Sequence, residues 1–373
     1  MTESNPITLP FYAKVTFILI GIFMSIYMLY VGDEILVPLI FSLFIAILLN
    51  PMVNWMVRKK VPKIIAISLA LLLAIIVILG LVAIIGAQFT MVAKTYPQLK
   101  DKFEHTITDY TQWIAARLNT DPSAVLNWLH STQHEAISSL NGSIGHTLLT
   151  VGNAFVVIVL VPVYVFLILL YKPLFLEFIR RLFDPHHHKT VVEVLGSIKT
   201  IIQSYLVGLL IEGAIVAVLN SVALLVLGVE YAIILGITGA IVNVIPYIGG
   251  IIGFGVPMII AFLTKSPLTA LLVLVLYSVI QFVDNHYLVP YIVASKVKVN
   301  ALVAIVVVLM GGMLWGVTGM FLSIPLTALV KVIFDHINAL KPWGFLIGDD
   351  IPTLIRLPFA TPRTRQSKSA SKN

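Results

Sequence analysis

Long uncharged stretches dominate the chain, and charges interrupt them at intervals that suit membrane-crossing helices. A bilayer core is crossed by about 20 predominantly apolar residues in a helix. Residues 11–31 make such a run, with Lys14 near its start, where a long side chain can reach the interface. Glu3 precedes this run and no small-residue cleavage site follows, which argues against a removed signal peptide. A second run covers residues 35–57, and a third lies between Lys63 and Lys94, which enclose no charge. Three more are predicted at about residues 147–171, 205–227 and 267–284.

Two further uncharged stretches differ from these. Residues 231–264 are cut by Pro246-Tyr247-Ile248-Gly249-Gly250 into pieces of about 16 and 14 residues. Residues 299–330 are cut similarly at Gly311-Gly312, with Gly316 and Gly319 close behind. Halves of that size are short for full crossings. Re-entrant hairpins and pairs of crossings both fit, because each preserves parity, and the short halves favour hairpins.

Charge orients the spans. The loop Arg58-Lys59-Lys60-Val61-Pro62-Lys63 holds four cations in six residues, which places it in the cytoplasm by the positive-inside rule. Two spans precede it, so the N-terminus is expected in the cytoplasm too. Residues 94–146 then fall outside. With four cations and five anions they read as an extracytoplasmic cap of short amphipathic helices, broken at Asp121-Pro122. Lys172, Arg180, Arg181, Lys189 and Lys199 return the chain inside. Leu174, Phe175, Phe178 and Leu182, interleaved with those charges, predict an amphipathic helix over residues 172–203 lying on the interface. His186-His187-His188 follow Asp184-Pro185 and read as a solvated loop rather than a metal site. Lys265 falls outside, while Lys296, Lys298 and the C-terminus fall inside. The basic, aperiodic tail from Thr361 reads as disordered. The resulting units are residues 1–93 (three spans), 94–146 (cap), 147–204 (fourth span and amphipathic helix), 205–340 (core with broken helices) and 341–373 (tail).

Composition agrees. The chain is 59% apolar and 11% charged, with a mean hydropathy of +1.02. Soluble domains run about 45–50% apolar and about 25% charged. The fold class is therefore all-α, a polytopic transmembrane helical bundle. Net charge is +7, but the cations flank apolar runs, so nucleic acid is not an expected partner. With no cysteine, disulfides and thiol chemistry are excluded. His134-Glu135 is followed by Ser138 where a zinc-protease helix needs histidine, and no Gly-Lys pair or GxSxG elbow occurs. An enzyme is not expected, nor is a cofactor.

Chemistry is expected where polar groups lie at membrane depth. Non-helical backbone survives there only if protein buries it or it lines a watery cavity, and paired broken segments point to a transport site. The competing account of Gly249xxxGly253 and Gly312xxxGly316 is close helix packing. Glu212 lies within a span, where a charged carboxylate costs roughly 2.5–3.5 kcal/mol on insertion scales. It must be protonated, paired or facing water. Asp284 clusters with Gln281, Asn285 and His286, and could equally cap the end of its span. Asn220 and Asn243 add uncharged ligands.

The stretch Asn243-Val-Ile-Pro246-Tyr247-Ile-Gly249-Gly250 is followed by Asp284-Asn285…Pro290. Gly311-Gly312…Gly316-Val-Thr-Gly319-Met320…Ile324-Pro325-Leu326…Lys331 comes next. With Val37-Pro38…Asn50-Pro51 and the Val61-Pro62 loop, these resemble the autoinducer-2 exporter family of bacterial membrane proteins over about residues 10–340. Ala294-Ser295 and Asn300-Ala301 depart from it, where the family commonly has glycine and a histidine-proline pair; such departures bear on substrate preference. The resemblance implies export of autoinducer-2, a small polar furanone-type signal, with some members resembling cation/proton antiporters. It also implies a homo-oligomer, a pentamer by expectation, in the bacterial inner membrane.

Three functions follow. As a secondary exporter, the chain would hold its solute at Asn243, Pro246, Tyr247, Gly249 and Gly250, against Gly311, Gly312, Gly316, Gly319 and Pro325. Gly249→Leu should then abolish flux yet leave insertion intact. As a sodium or lithium/proton antiporter, it would exchange a proton at Glu212 or Asp284, with Asn285 assisting. As a non-transporting scaffold, it would bind partners through residues 94–146 or 172–203.

Overall fold

The computed structural model describes residues 10–84, 86–87, 90, 159–245 and 248–349. The expected cap at 94–146, the tail from Thr361, and Pro246 and Tyr247 at the first break lie outside these. Among the described residues the chain is helical throughout, with no strand beyond a single Val299–Gly348 bridge.

Apolar helices α1 (Phe11–Val31), α2 (Asp33–Arg58), α3 (Lys63–Ile84) and α4 (Val159–Leu182) are each long enough to cross a bilayer. So is α5, which runs His188–Val226. Then follow α6 (Ala232–Asn243), α7 (Ile248–Thr264) and α8 (Pro267–Val283). The last of these passes directly into a π-helical segment, Asp284–Val293. Helix α9 (Ala301–His336) and the short α10 (Lys341–Ile347) complete the fold.

Both broken stretches fold back as hairpins. Helices α6 and α7 hold 12 and 17 residues. At about 1.5 Å per residue neither reaches the roughly 30 Å of a hydrocarbon core. They cross so closely that a Cβ on Gly239 would lie 3.2 Å from the Gly253 carbonyl, and one on Gly253 3.1 Å from that of Gly239. The second break lies at Trp315–Gly316 within α9, a few residues beyond the Gly311-Gly312 cut expected from the sequence. Gly316 takes φ +61°, where a side chain would be strained, so it makes the reversal. Gly311 and Gly319 serve a different purpose. They face each other across the two legs, and a Cβ on either would strike the other's carbonyl.

One further expectation is corrected. A single interfacial helix over 172–203 does not form, and no boundary falls at 204. Apolar helix α4 continues to Leu182, and the chain turns at Asp184–Pro185, where the Asp184 carboxylate accepts the His186 amide. Helix α5 then runs unbroken past 204 to Val226, because no proline interrupts it.

Three apolar clusters hold the helices together. Ala46, Val53 and Met56 of α2 pack with Ala66 and Ile67 of α3 and Val165 and Leu169 of α4. Phe44, Ile202, Tyr205, Leu206, Val293, Leu322 and Ala328 join α2, α5, the π segment and the second leg of α9. Leu224, Leu235, Ile260, Ala261 and Val273 join the far end of α5 to α6, α7 and α8. Thus the two hairpins occupy different stretches of α5, with α9 against its first half and α6–α7 against its second. Helix α1 has no buried residue; its one side-chain tie comes from the Trp315 indole, which donates to the Leu29 carbonyl at 2.9 Å.

The hairpin geometry makes a direct demand on stability. Gly311→Ala should cost about 1–3 kcal/mol through overpacking, and lower the thermal midpoint in detergent. Gly255→Ala, with nothing within 4 Å of its new methyl, should leave it unchanged. Equal midpoints for the two variants would contradict the facing legs of α9.

Candidate functional site

The deepest polar contact lies where the second half of α5 meets the end of α8. Glu212 on α5 is 4% exposed and Asp284, at the start of the π segment, 1%. Their carboxyl groups are close neighbours. Ionised carboxylates only accept, so a proton on one of them would let the two bond and would remove the repulsion between them. Asn243, the last residue of α6, donates from Nδ2 to Asp284 Oδ2 at 2.9 Å. Gln281 Nε2 lies 3.4 Å from Asp284 Oδ2 and 3.3 Å from Asn285 Oδ1. One side chain from each of α5, α6 and α8 thus converges on Asp284.

Local sequence explains the convergence. Gly208 lies one turn before Glu212 on α5, and a Cβ there would sit 2.7 Å from the Ile292 carbonyl. Only glycine lets α5 sit this close to the π segment. The wider π turn re-aims the chain at Asp284, and such insertions into α-helices recur at functional sites. Gly249 and Gly250, at the start of α7, bring the hairpin tip against this polar group. A Cβ on Gly249 would strike the Val242 carbonyl and lie 2.7 Å from the Asn243 Cα, while one on Gly250 would lie 3.0 Å from Gln281 Oε1.

A second polar level lies two turns along α5. Asn220 and Tyr277 flank Gly239, and a Cβ there would lie 3.5 Å from Asn220 Nδ2 and 3.7 Å from Tyr277 Cε1. Asn220 Oδ1, Tyr277 Oη and Asp284 Oδ1 are buried without a hydrogen-bond partner. Among the described residues, then, polar atoms without a protein partner occur on both levels.

The expected site residues therefore divide. Glu212, Asp284, Asn285, Asn243, Gly249 and Gly250 come together. Pro246 and Tyr247 adjoin them in sequence but lie outside the described residues. Gly311, Gly312, Gly316, Gly319 and Pro325 belong to the α9 hairpin, which packs on α2 and α5 and not as a partner of α6–α7. Sequence reasoning joined the two breaks into one solute site, and the structure places them apart. It also missed Tyr277, whose signal was a buried hydroxyl within the apolar run of α8. Asp284, weighed as a possible interfacial cap, is instead among the most buried side chains of the protein. Asn300, a departure from the family pattern, has a structural task. It caps α9 through Val303 N, and its amide donates to the carbonyls of Leu346, Ile347 and Gly348 in the chain after α9.

The family model described as "AI-2E family transporter" matches residues 17–339. Among curated relatives, the AI-2 transport protein TqsA of Escherichia coli (strain K12) is 29% identical over 320 residues, 85% of this chain and 90% of TqsA. The provisionally named transport protein YrrI of Bacillus subtilis (strain 168) is 26% identical over 313 residues, 81% of this chain and 86% of its own. YueF of the same organism, also a provisional transport protein, is 25% identical over 348 residues, 87% of this chain and 92% of its own.

The carboxyl contact predicts a contrast between two substitutions. Glu212→Gln keeps a donor for Asp284 and should fold with a near wild-type thermal midpoint. Glu212→Leu strands Asp284 and Asn243 and should cost about 1–3 kcal/mol for unsatisfied buried groups. If the leucine variant is as stable as the glutamine variant, the two carboxyls do not depend on each other.

Proposed function

The chain belongs to the AI-2E transporter family and is a multi-pass membrane transport protein, and we propose that it is a secondary transporter moving a small polar solute in exchange for protons. The observation that carries this reading is the Glu212–Asp284 pair, two neighbouring carboxyls buried inside an apolar bundle, with Asp284 hydrogen-bonded to Asn243 at the end of α6. Autoinducer-2 is the first solute to test, because TqsA is named for its transport. A neutral polyol is bound by hydrogen bonds, and Asn243, Gln281, Asn220 and Tyr277 supply both donors and acceptors. In this reading the solute sits between the α6–α7 tip and the two polar levels of α5, while the carboxyl pair loads and releases the proton. Both termini lie in the cytoplasm of a bacterial cell, and the chain assembles with copies of itself.

A second reading, sodium or lithium/proton antiport, rests on the same orphaned oxygens. Asp284 Oδ1, Asn220 Oδ1 and Tyr277 Oη are oxygen ligands of the type that hard cations select. In that case Asp284 alternates between proton and cation, with Glu212 setting the charge beside it.

The test must avoid Gly249→Leu, because that side chain would collide with the α6 backbone and unseat the hairpin. Purified protein in liposomes should show autoinducer-2 flux that follows an imposed proton gradient. Glu212→Gln and Asp284→Asn should each lower that flux by about tenfold or more, equivalent to about 1.4 kcal/mol. Sodium-triggered change in internal pH without solute flux would select the antiporter. Wild-type flux in both variants would remove the carboxyl pair from either mechanism.

A further inference from the structure

A cavity of about 550 Å³ lies well away from the carboxyl pair, between the first half of α5, the chain after the π segment and the second leg of α9. That size suits a small-molecule ligand, for which pockets span roughly 300–1,000 Å³. Three lysines line it. Lys331 is engaged, with Nζ 2.6 Å from Asp335 Oδ2. Lys296 and Lys298 are exposed and make no ion pair among the described residues. Glu193 is the only other charged residue of the lining, so cations outnumber anions by one. Ser197 and Thr200 bring hydroxyls from α5, and Thr200 Oγ1, which donates to the Gly196 carbonyl at 2.9 Å, would turn from it to reach a ligand. Lys298 adopts φ +50°, an uncommon backbone conformation for a residue with a side chain.

We propose that this cavity binds a phosphate-bearing ligand, gripped by Lys296 and Lys298 on one wall and by Ser197 and Thr200 on the other. The chemistry follows from the donors. Two ammonium groups and two hydroxyls on separate elements suit one anion with several acceptor oxygens, and charge-assisted hydrogen bonds are the strong ones. A small carboxylate presents two oxygens, whereas a phosphate can face both walls at once. The basic face around Lys296 is the one the positive-inside rule assigns to the cytoplasm, so either a soluble phosphate or the headgroup of an anionic lipid could supply it.

The position of the cavity gives the site a consequence. Gly208 and Glu212 lie one turn apart on α5, and Thr200 lies about two turns before Gly208. Antiparallel to them run Lys296 beside the cavity, Ile292 against Gly208, and Asp284 against Glu212. The cavity is therefore one end of the seam whose other end is the carboxyl pair. A phosphate tying Lys296 and Lys298 to Ser197 and Thr200 would hold that seam shut. Binding itself does not depend on which solute the transporter carries, so it can be measured without transport.

Full-length protein in nanodiscs of zwitterionic lipid should be titrated with inorganic pyrophosphate by calorimetry. A second set of nanodiscs containing phosphatidylglycerol should be followed by thermal midpoint. Saturable pyrophosphate binding, weakened about tenfold or more in K296Q/K298Q and unchanged in Lys265→Gln near the far end of α5, supports a soluble phosphate. No pyrophosphate binding, but a midpoint raised by phosphatidylglycerol in the wild type and not in K296Q/K298Q, supports the lipid headgroup. Either lysine is exposed and unpaired, so the double variant should fold. Absence of both responses, or equal responses in wild type and double variant, would overturn the proposal.

Discussion

The Glu212–Asp284 contact is the constraint around which the transmembrane core is arranged. Two carboxyls closed from solvent in an apolar bundle repel unless one holds a proton, and they need donors on their oxygens, of which Asp284 Oδ2 has two. Meeting that requirement takes residues from three helices at once. Asn243 must come from the end of α6, Gln281 from the last turn of α8, and α5 must approach within contact of the π segment. Each demand has a local answer in the sequence: a helix that stops at Asn243, a π turn beginning at Asp284, and a glycine at 208. The apolar packing of α6, α7 and α8 on α5 then fixes these elements against one another.

Much of this was legible in advance, because lipid imposes simple rules. A helix that faces hydrocarbon is largely apolar, so runs nearly without charge map onto α1, α2, α3 and α8. Hairpins were also legible as uncharged stretches too short, once halved, to cross. What the sequence could not resolve was the division of labour among glycines. Gly311, Gly312, Gly316 and Gly319 look alike in a linear string, yet only Gly316 has the positive φ that reverses the chain. Gly311 and Gly319 are needed for backbone contact across the legs, a property of pairing that no single position announces. The same limit hid the extent of α5, since the amphipathic stretch before 204 and the apolar stretch after it belong to one helix.

The candidate site was half legible for a related reason. Glu212 and Asp284 stood out because an ionisable group at membrane depth is costly. Their contact did not, for they lie far apart in sequence and meet only because the π segment runs antiparallel to α5. Tyr277 was masked by its apolar neighbours. The two broken stretches, equal in sequence character, were expected to share one solute site. Among the described residues they have different neighbours: the α6–α7 tip adjoins the carboxyl pair, whereas the α9 hairpin packs against α2 and the first half of α5, with Trp315 tied to α1.

That separation gives α5 a specific mechanical part. An unbroken helix of 39 residues touches the α9 hairpin with one half and the α6–α7 hairpin with the other. A stiff rod of this kind cannot absorb a shift locally, because its hydrogen-bond ladder has no proline at which to bend. Against the π segment its close contact is glycine against carbonyl at Gly208 and Ile292, where no side chain lies between the backbones to repack. Movement of α5 relative to the π segment must therefore separate Glu212 from Asp284 while it displaces Thr200 from Lys296. Proton occupancy at one end of the seam and anion occupancy at the other would then act on the same displacement. Coupling of this kind needs no continuous chain of polar groups between the sites, only a shared rigid element whose two positions both ligands distinguish.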